Sequence, residues 1–203
     1  PTPQTQTEFL SLITPAPPRK MSIKVVNDNN IPLFLHSNTA LAKIAEDVAL
    51  TTFKETKSAF KSALLLVAAK KQKLLITLSR TDPSAQGKML AKFLADHDFA
   101  SPSGHSVAKK NAFSLLRKRK YSEAAAFMLL PQPPMLQSAL EIICNQLDDF
   151  PLAFFVGRLV EGGVGCETAK IIENFGRKWC DGDSVMNCLL SRWVGRDGFE
   201  ELE

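Results

Sequence analysis

The chain has 203 residues, of which 45% are hydrophobic and 23% are charged, and its formal net charge is +4. This length and composition are those of an ordinary globular protein with enough apolar residues to bury a core. They argue against a membrane-spanning protein, because no run approaches the roughly eighteen consecutive apolar residues that a transmembrane helix requires. The first twenty residues also lack the pattern of a signal peptide, since their two positive charges come last.

Residues 1–36 are predicted to form a flexible Pro-rich tether followed by an extended lead-in segment. Pro1–Lys20 contains five prolines and shows no hydrophobic periodicity. Its apolar patch Glu8–Ile13 could dock onto another surface, although a segment this short is more often unstructured. Pro32 favours an extended Ile31–Leu35, because proline disfavours the helical region for the residue before it. Since the chain opens on proline and not on methionine, we expect it to be a segment of a longer protein.

Four amphipathic helices are expected next. The first starts at Ser37–Thr39, where a polar side chain can cap the free N–H groups, and runs to about Phe53. The second covers Ser58–Lys70, and Pro83 is placed as the first residue of the fourth helix, after Asp82 as its cap. Isolated helices of this length are unstable in water, so the helices must stack. The expected core positions are Leu41, Ile44, Ala45, Val48 and Thr52; Phe60, Ala63, Leu64, Val67 and Ala68; Leu74, Leu75 and Leu78; and Met89, Leu90, Phe93 and Leu94.

Asp96–His105 is predicted to be a polar loop that contains residue types able to bind a metal. These are Asp96, His97, Asp98 and His105. A metal site needs three or four ligands that converge from fixed positions, and this loop fixes little. No metal site is therefore predicted.

The stretch Ser106–Gly162 contains four short runs of apolar residues at helical spacing. The breaks between them are rich in lysine, proline, aspartate or glycine, and the joints are very short. Short joints force neighbouring helices to be antiparallel, which predicts two stacked helical hairpins. The runs are Ala108, Ala112, Leu115 and Leu116; Ala124, Phe127 and Met128; Leu136, Ala139, Leu140, Ile143 and Leu147; and Leu152, Phe155, Val156, Leu159 and Val160.

A basic run, Arg117–Lys120, follows the first of these helices. It could bind phosphate or serve as a nuclear localisation signal, but cations at a helix C-terminus are also stabilised by the helix dipole. Tyr121 is the nearby aromatic residue, and nucleic-acid recognition normally uses several. The sequence therefore does not favour a nucleic-acid partner.

The chain continues beyond residue 163 with two further helical patterns. Gly162–Gly165 lacks the Lys-Ser/Thr that completes a phosphate-binding loop, so it is interpreted as a joint. One helix is expected over Thr168–Trp179, and Asp183 is expected to cap the next. The apolar face of that last helix, which includes Trp193, has no predicted neighbour, so further helices are expected to follow.

The four cysteines, Cys144, Cys166, Cys180 and Cys188, contain no Cys-Xaa-Xaa-Cys pair. This spacing is not typical of a zinc site or a disulfide framework. Cys144 and Cys188 lie among apolar residues and are predicted to be buried free thiols, which fits a cytosolic protein.

The charge is unevenly distributed along the chain. Residues 37–120 contain 16 basic and 6 acidic residues, giving +10, whereas residues 121–203 contain 6 and 13, giving −7. Such a division can orient the two halves of the chain on one another or on partners of opposite charge. The alternative is that the lysines only solvate helix faces and ends.

Several motifs between Ile31 and Gly162 resemble the C-terminal helical region of the rabconnectin/DmX family. The matching features are a lysine-led helix at Lys110–Leu116, an Ala-rich helix at Ala124–Phe127 and an Asp-Xaa-Xaa-Leu-Ala start at Asp149–Ala153. The Pro131–Pro134 insert departs from the family, which has a Gly-containing turn there. The family consists of large propeller-plus-solenoid proteins and includes the main subunit of the RAVE complex, which regulates V-ATPase assembly.

Together these features predict an all-α protein, an irregular α-solenoid of antiparallel hairpins with about ten helices. The solenoid is expected over residues 37–162, with continuing, truncated helices over residues 163–203. The resemblance implies a non-catalytic scaffold, without cofactor or metal, that promotes V-ATPase assembly and organelle acidification. Its implied partners are peripheral V1 subunits and other subunits of a RAVE-like complex, in the cytoplasm at endosomal or vacuolar membranes. The alternative is a generic helical adaptor in vesicle coats or trafficking.

Overall fold

The structure is a computed structural model, and it describes Glu8 and residues 21–197. All regular secondary structure in these residues is helical, which confirms the predicted all-α solenoid class. The chain divides into two compact units, Pro1–His97 (unit 1) and Asp98–Glu203 (unit 2). The predicted Pro-rich tether and its Glu8–Ile13 patch lie outside the described residues, apart from Glu8 itself.

Unit 1 consists of helices that pack mainly on their neighbours in sequence. Ser37 caps the long third helix as predicted, because its hydroxyl accepts a hydrogen bond of 3.3 Å from the N–H of Ala40. The buried Ser62 hydroxyl donates to the carbonyl of Ala49 at 2.9 Å and ties that helix to the next. The helices are α1 (Ile23–Asp28), α2 (Ile31–Phe34), α3 (Asn38–Thr56), α4 (Ala59–Ala68), α5 (Gln72–Thr81) and α6 (Ala85–Asp96).

The core of unit 1 largely follows the predicted helix faces. Leu41, Ile44, Ala45 and Val48 are buried on α3, but Thr52 is only half-buried and Thr51 is buried instead. Met89 was expected in the core and is 69% exposed. It lies on the outer side of α6, whose inner side buries other residues: Gly87, Leu90, Ala91 and Leu94.

Two local predictions for unit 1 were wrong. Ile31–Leu35 is not extended, because Ile31–Phe34 forms a short helix with Pro32 in its first turn, where a missing N–H leaves no hydrogen bond unmade. Asp82 does not cap α6. Ser84 caps this helix, because its hydroxyl accepts a hydrogen bond from the N–H of Gly87. Asp82 lies at the C-terminal end of α5, and its carboxylate accepts from the N–H of Ala59.

Unit 2 begins with the two predicted hairpins. The first helix starts after Ser101, so His105 lies inside it and the predicted loop is shorter than expected. One continuous helix was predicted over Thr168–Trp179, but the structure has a π-helical turn within this range, at Ile172–Gly176. The helices are α7 (Pro102–Arg117), α8 (Tyr121–Met128), α9 (Leu136–Gln146), α10 (Phe150–Glu161), α11 (Cys166–Ile171), α12 (Arg177–Cys180) and α13 (Ser184–Asp197).

Small residues let the helices of unit 2 approach closely. Ala124, Ala125 and Ala126 on α8 are fully or almost fully buried, and α8 packs on both α7 and α9. Gly157 on α10 lies directly against Thr168 of α11, so that a Cβ at this glycine would overlap the threonine hydroxyl. Gly162, with a φ of 77°, ends α10 in the left-handed conformation that glycine adopts without strain.

The C-terminal helix α13 is held by contacts that the sequence did not indicate. Asp183 caps it as predicted, accepting from the N–H groups of Val185 and Met186. Trp193, however, does not lie on an unpartnered face. Its ring is 6.0 Å from that of Phe154, and the buried Arg158 guanidinium lies 4.3 Å from its centroid.

Candidate functional site

One side of α7 is exposed and basic, and we call it the α7 basic face. It comprises Ser106, Lys109, Lys110, Phe113, Ser114 and Arg117, which recur every three or four residues, and it continues into the exposed Lys118 and Arg119. The opposite side of the helix carries Ala108 and Ala112, both fully buried. Packing within unit 2 therefore leaves this face exposed.

The α7 basic face has no acidic neighbour in sequence. Residues 99–122 contain six lysines and arginines and no aspartate or glutamate. Within residues 21–197, none of these six cations forms an ion pair. The face therefore presents uncompensated positive charge to solvent.

The helix dipole explains only part of this charge. Arg117 occupies the last turn of α7 and the next two basic residues follow it directly, so all three gain from the negative end of the helix. Lys109 and Lys110 lie about two turns earlier, where the dipole has little effect. The two lysines therefore have no role in ending the helix.

Phe113 completes the face with an aromatic ring that is 49% exposed. The basic run Arg117–Lys120 is visible in the sequence, but the exposed positions Lys109, Lys110 and Phe113 were not predicted as part of a surface, because the helical pattern identifies only the inward apolar positions. The available signal was the repeat of Lys109, Phe113 and Arg117 at four-residue spacing on the side opposite the alanines.

Three of the residues considered for a metal site form hydrogen bonds with the backbone. His97 donates from Nδ1 to the carbonyl of Phe93 at 2.9 Å, and Asp98 accepts from the N–H of Ala100. His105 lies on α7 and donates from Nε2 to the carbonyl of Gln132 at 2.9 Å. Over residues 21–197 no group of three or more histidine, cysteine or acidic side chains converges as metal ligands would.

The cysteine environments differ from one position to another. Cys144 is buried as predicted, but Cys188 is exposed, because it lies on the outer side of α13. Burial raises the pKa of the Cys144 thiol to about 12, with a further contribution from Asp149 and Asp148. Burial also raises the pKa of Cys180. Neither buried thiol is therefore ionised at neutral pH, so neither is an activated nucleophile.

Unit 2 contains shallow clefts of modest size. One cleft of about 320 Å³ is lined by Cys144, Asp148, Phe175, Lys178 and Trp179, among others. Its cysteine is protonated, and no general base is paired with it in the described residues.

No helix in the described part of the chain is both long and apolar enough to cross a membrane.

Comparison with known proteins connects this fold to one family. The family described as "RAVE protein 1 C terminal" matches residues 3–176. The chain is 34% identical over 129 residues to "Regulator of V-ATPase in vacuolar membrane protein 1" of Saccharomyces cerevisiae, covering 62% of this chain and 9% of that protein. It is 30% identical over 128 residues to human "DmX-like protein 1", covering 63% of this chain and 4% of that protein.

A third relative agrees with these. The Schizosaccharomyces pombe protein of the same name as the S. cerevisiae one is 33% identical over 82 residues, covering 40% of this chain and 6% of that protein. The chain spans less than a tenth of the length of each of these relatives. Because the family match covers most of its residues, the chain belongs to the RAVE protein 1 C-terminal family.

Proposed function

We propose that this chain is a non-catalytic scaffold segment of a RAVE-like regulator, which promotes V-ATPase assembly and so supports organelle acidification. The observation that carries the proposal is the family match over residues 3–176, together with relatives that are named as V-ATPase regulators. A stack of short helices suits this role, because its outward faces remain available for other proteins.

The proposed partners are peripheral V1 subunits of the V-ATPase and other subunits of a RAVE-like complex. Contact would occur at the cytoplasmic surface of endosomal or vacuolar membranes. The chemistry of the described residues supports binding more than catalysis, since the buried thiols are protonated and His97 and His105 are hydrogen-bonded to backbone carbonyls.

The test is deletion of residues 21–197 from the intact protein. We expect less V1 sector on purified organelle membranes and a more alkaline organelle lumen, at an unchanged level of the truncated protein. Affinity purification of the intact protein should recover V1 subunits. Normal V1 retention after the deletion would refute the proposal, and recovery of vesicle-coat subunits instead would favour a trafficking adaptor.

A further inference from the structure

We propose that the α7 basic face binds an acidic segment of a protein partner, and that this segment places an apolar side chain against Phe113. The inference rests on the proposed scaffold function and deepens it, because it assigns the contact to one surface. The exposed cations and the exposed ring of this face support it, because packing within unit 2 does not account for them.

The charge of the face selects the class of partner. Lys109, Lys110 and Arg117–Arg119 are exposed along one side and one end of α7, and no carboxylate lies between residues 99 and 122. Like charges so close together repel, and an acidic ligand removes that repulsion while forming charge-assisted hydrogen bonds. Complementary charge also speeds association and makes it dependent on salt.

Phe113 adds an apolar contact that a purely ionic ligand would leave unused. Phe113 lies between the lysine pair and Arg117 along the exposed side of the helix, so a ligand that follows this side from one cationic group to the other passes over it. Covering a half-exposed aromatic ring contributes binding energy, and phenylalanine and arginine are both enriched in the cores of protein interfaces.

A protein segment fits this face better than a membrane does. A helix that inserts into the membrane interface offers a wide apolar side with several large residues. The apolar side of α7 faces the interior of unit 2, and its exposed side has one aromatic ring among lysines, serines and an arginine. One ring also falls short of the series of stacking aromatics that single-stranded nucleic acids use.

The first experiment measures binding of two labelled peptides to the purified chain by fluorescence anisotropy. One probe is rich in glutamate and carries a single leucine, and the other has glutamine in place of each glutamate. We expect binding of the glutamate peptide only. Its affinity should fall when salt rises from about 0.01 M to about 0.15 M, because the Debye length shortens from about 30 Å to about 8 Å.

Variants then locate the contact. Reversing the charge of both lysines, in Lys109→Glu with Lys110→Glu, should lower the affinity for the glutamate peptide by about tenfold or more. Phe113→Ala should lower it by about fivefold. Lys88→Glu with Met89→Ala is the matched control, since it changes an exposed cation and an exposed apolar residue on α6 and should leave binding unchanged. Circular dichroism verifies that each variant is folded.

Three results would overturn the inference. They are equal binding of both peptides, an equal loss in the α6 control, and tighter binding to phosphatidylserine vesicles than to the glutamate peptide. The last result would identify a membrane-binding surface.

A cellular arm separates this inference from the proposed function. If cells that carry the lysine-reversal variant retain V1 on their organelle membranes as well as cells with the wild-type protein, the surface assignment fails while the scaffold function stands. If deletion of residues 21–197 leaves V1 retention normal, the scaffold function itself fails. Loss of V1 retention in the lysine-reversal variant, with the α6 control active, supports both.

Discussion

The carboxylate of Asp82 accepts a hydrogen bond of 2.9 Å from the backbone N–H of Ala59, twenty-three residues earlier in the chain. The same carboxylate accepts a second bond, of 2.8 Å, from the N–H of Ser84. Asp82 is 1% exposed and lies where α5 ends. It therefore satisfies the free N–H at the start of α4 and also fixes the chain ahead of α6, joining three helices of unit 1.

Asp82→Asn is expected to lower the free energy of unfolding by about 1–2 kcal/mol at neutral pH. The amide keeps the shape of the side chain but loses the charge and offers one acceptor oxygen to two donors. Urea denaturation followed by circular dichroism measures the change, since unit 1 contains no tryptophan for a fluorescence measurement. The control is Asp47→Asn, an exposed position on α3 where little change is expected. Equal stability of the two variants would contradict the joining role.

Asp82 should also make unit 1 sensitive to acid. Burial alone raises the pKa of this carboxyl, but the hydrogen bonds from Ser84 and Ala59 outweigh it, and the pKa lies below its usual value of 3.8. A lowered pKa in the folded state gives stability that is fully present above the unfolded pKa and is lost as pH falls through the folded one. Denaturation measured below about pH 4 should show this loss in the wild type and a smaller loss in Asp82→Asn. A steeper dependence in the variant would be the wrong sign.

Gly157→Ala tests the close approach of α10 and α11. Alanine is the better helix former, so propensity alone predicts a gain of up to about 1 kcal/mol. Overlap of the new Cβ with the Thr168 hydroxyl predicts a loss of about 1–3 kcal/mol, and we expect the loss to dominate because the neighbour is buried. Tryptophan fluorescence during urea denaturation reports on this unit.

Gly163→Ala provides the comparison for that experiment. A Cβ at Gly163 would have nothing within 4 Å, and the backbone there is not left-handed. We expect its unfolding free energy to change by no more than about 0.5 kcal/mol. If Gly157→Ala is as stable as this control or more stable, the helices do not need the glycine.

The sequence predicted the helical class and the hairpins because those depend on local periodicity and short joints. Ser37 and Asp183 were identified as caps, since a cap acts on N–H groups two or three residues away. Asp82 was misassigned because its partner Ala59 is distant in sequence. A local pattern carries no information about such a contact.

The α7 basic face could also be predicted only in part from the sequence. The basic run Arg117–Lys120 is visible in the sequence, but its extension to Lys109 and Phe113 depends on which side of α7 packs against α8. The π-helical turn at Ile172–Gly176 was also not predicted, because the apolar residues of the segment fit one continuous helix. Contacts between helices decide which side of α7 is exposed.

Glu161→Gln is expected to destabilise unit 2 by about 1–2 kcal/mol. Helix α11 begins after Gly165, which has no side chain with which to cap it. The Glu161 carboxylate takes that role, accepting from the N–H groups of Gly165, Glu167 and Thr168, each at 3.1 Å, and from the Thr168 hydroxyl. Glutamine cannot accept all of these bonds, so donors at the start of α11 lose their partner.

Glu141→Gln is the matched control for this variant, measured by the same tryptophan fluorescence. Glu141 accepts one exposed hydrogen bond of 2.9 Å from Gln137 on the same helix, and such pairs contribute only a few tenths of a kcal/mol. A destabilisation of similar size in both variants would show that the capping contacts at Glu161 do not hold the helix.

Thiol labelling should divide the four cysteines into two pairs. Cys166 and Cys188 are exposed and should react readily with a maleimide or disulfide reagent under native conditions. Cys144 and Cys180 are buried and have raised pKa values, so the reactive thiolate is scarce and the reagent has little access. Mass spectrometry of peptides after a short reaction at neutral pH measures each site.

Unfolding in guanidinium supplies the control for labelling, because all four thiols should then react at comparable rates. The native difference should persist when pH rises moderately, since the pKa of Cys144 is about 12 and the group remains protonated. If Cys144 were labelled as fast as Cys166 under native conditions, the side of α9 that carries Cys144 would not be buried. That result would also return Cys144 to consideration as a reactive residue in the cleft beside Trp179.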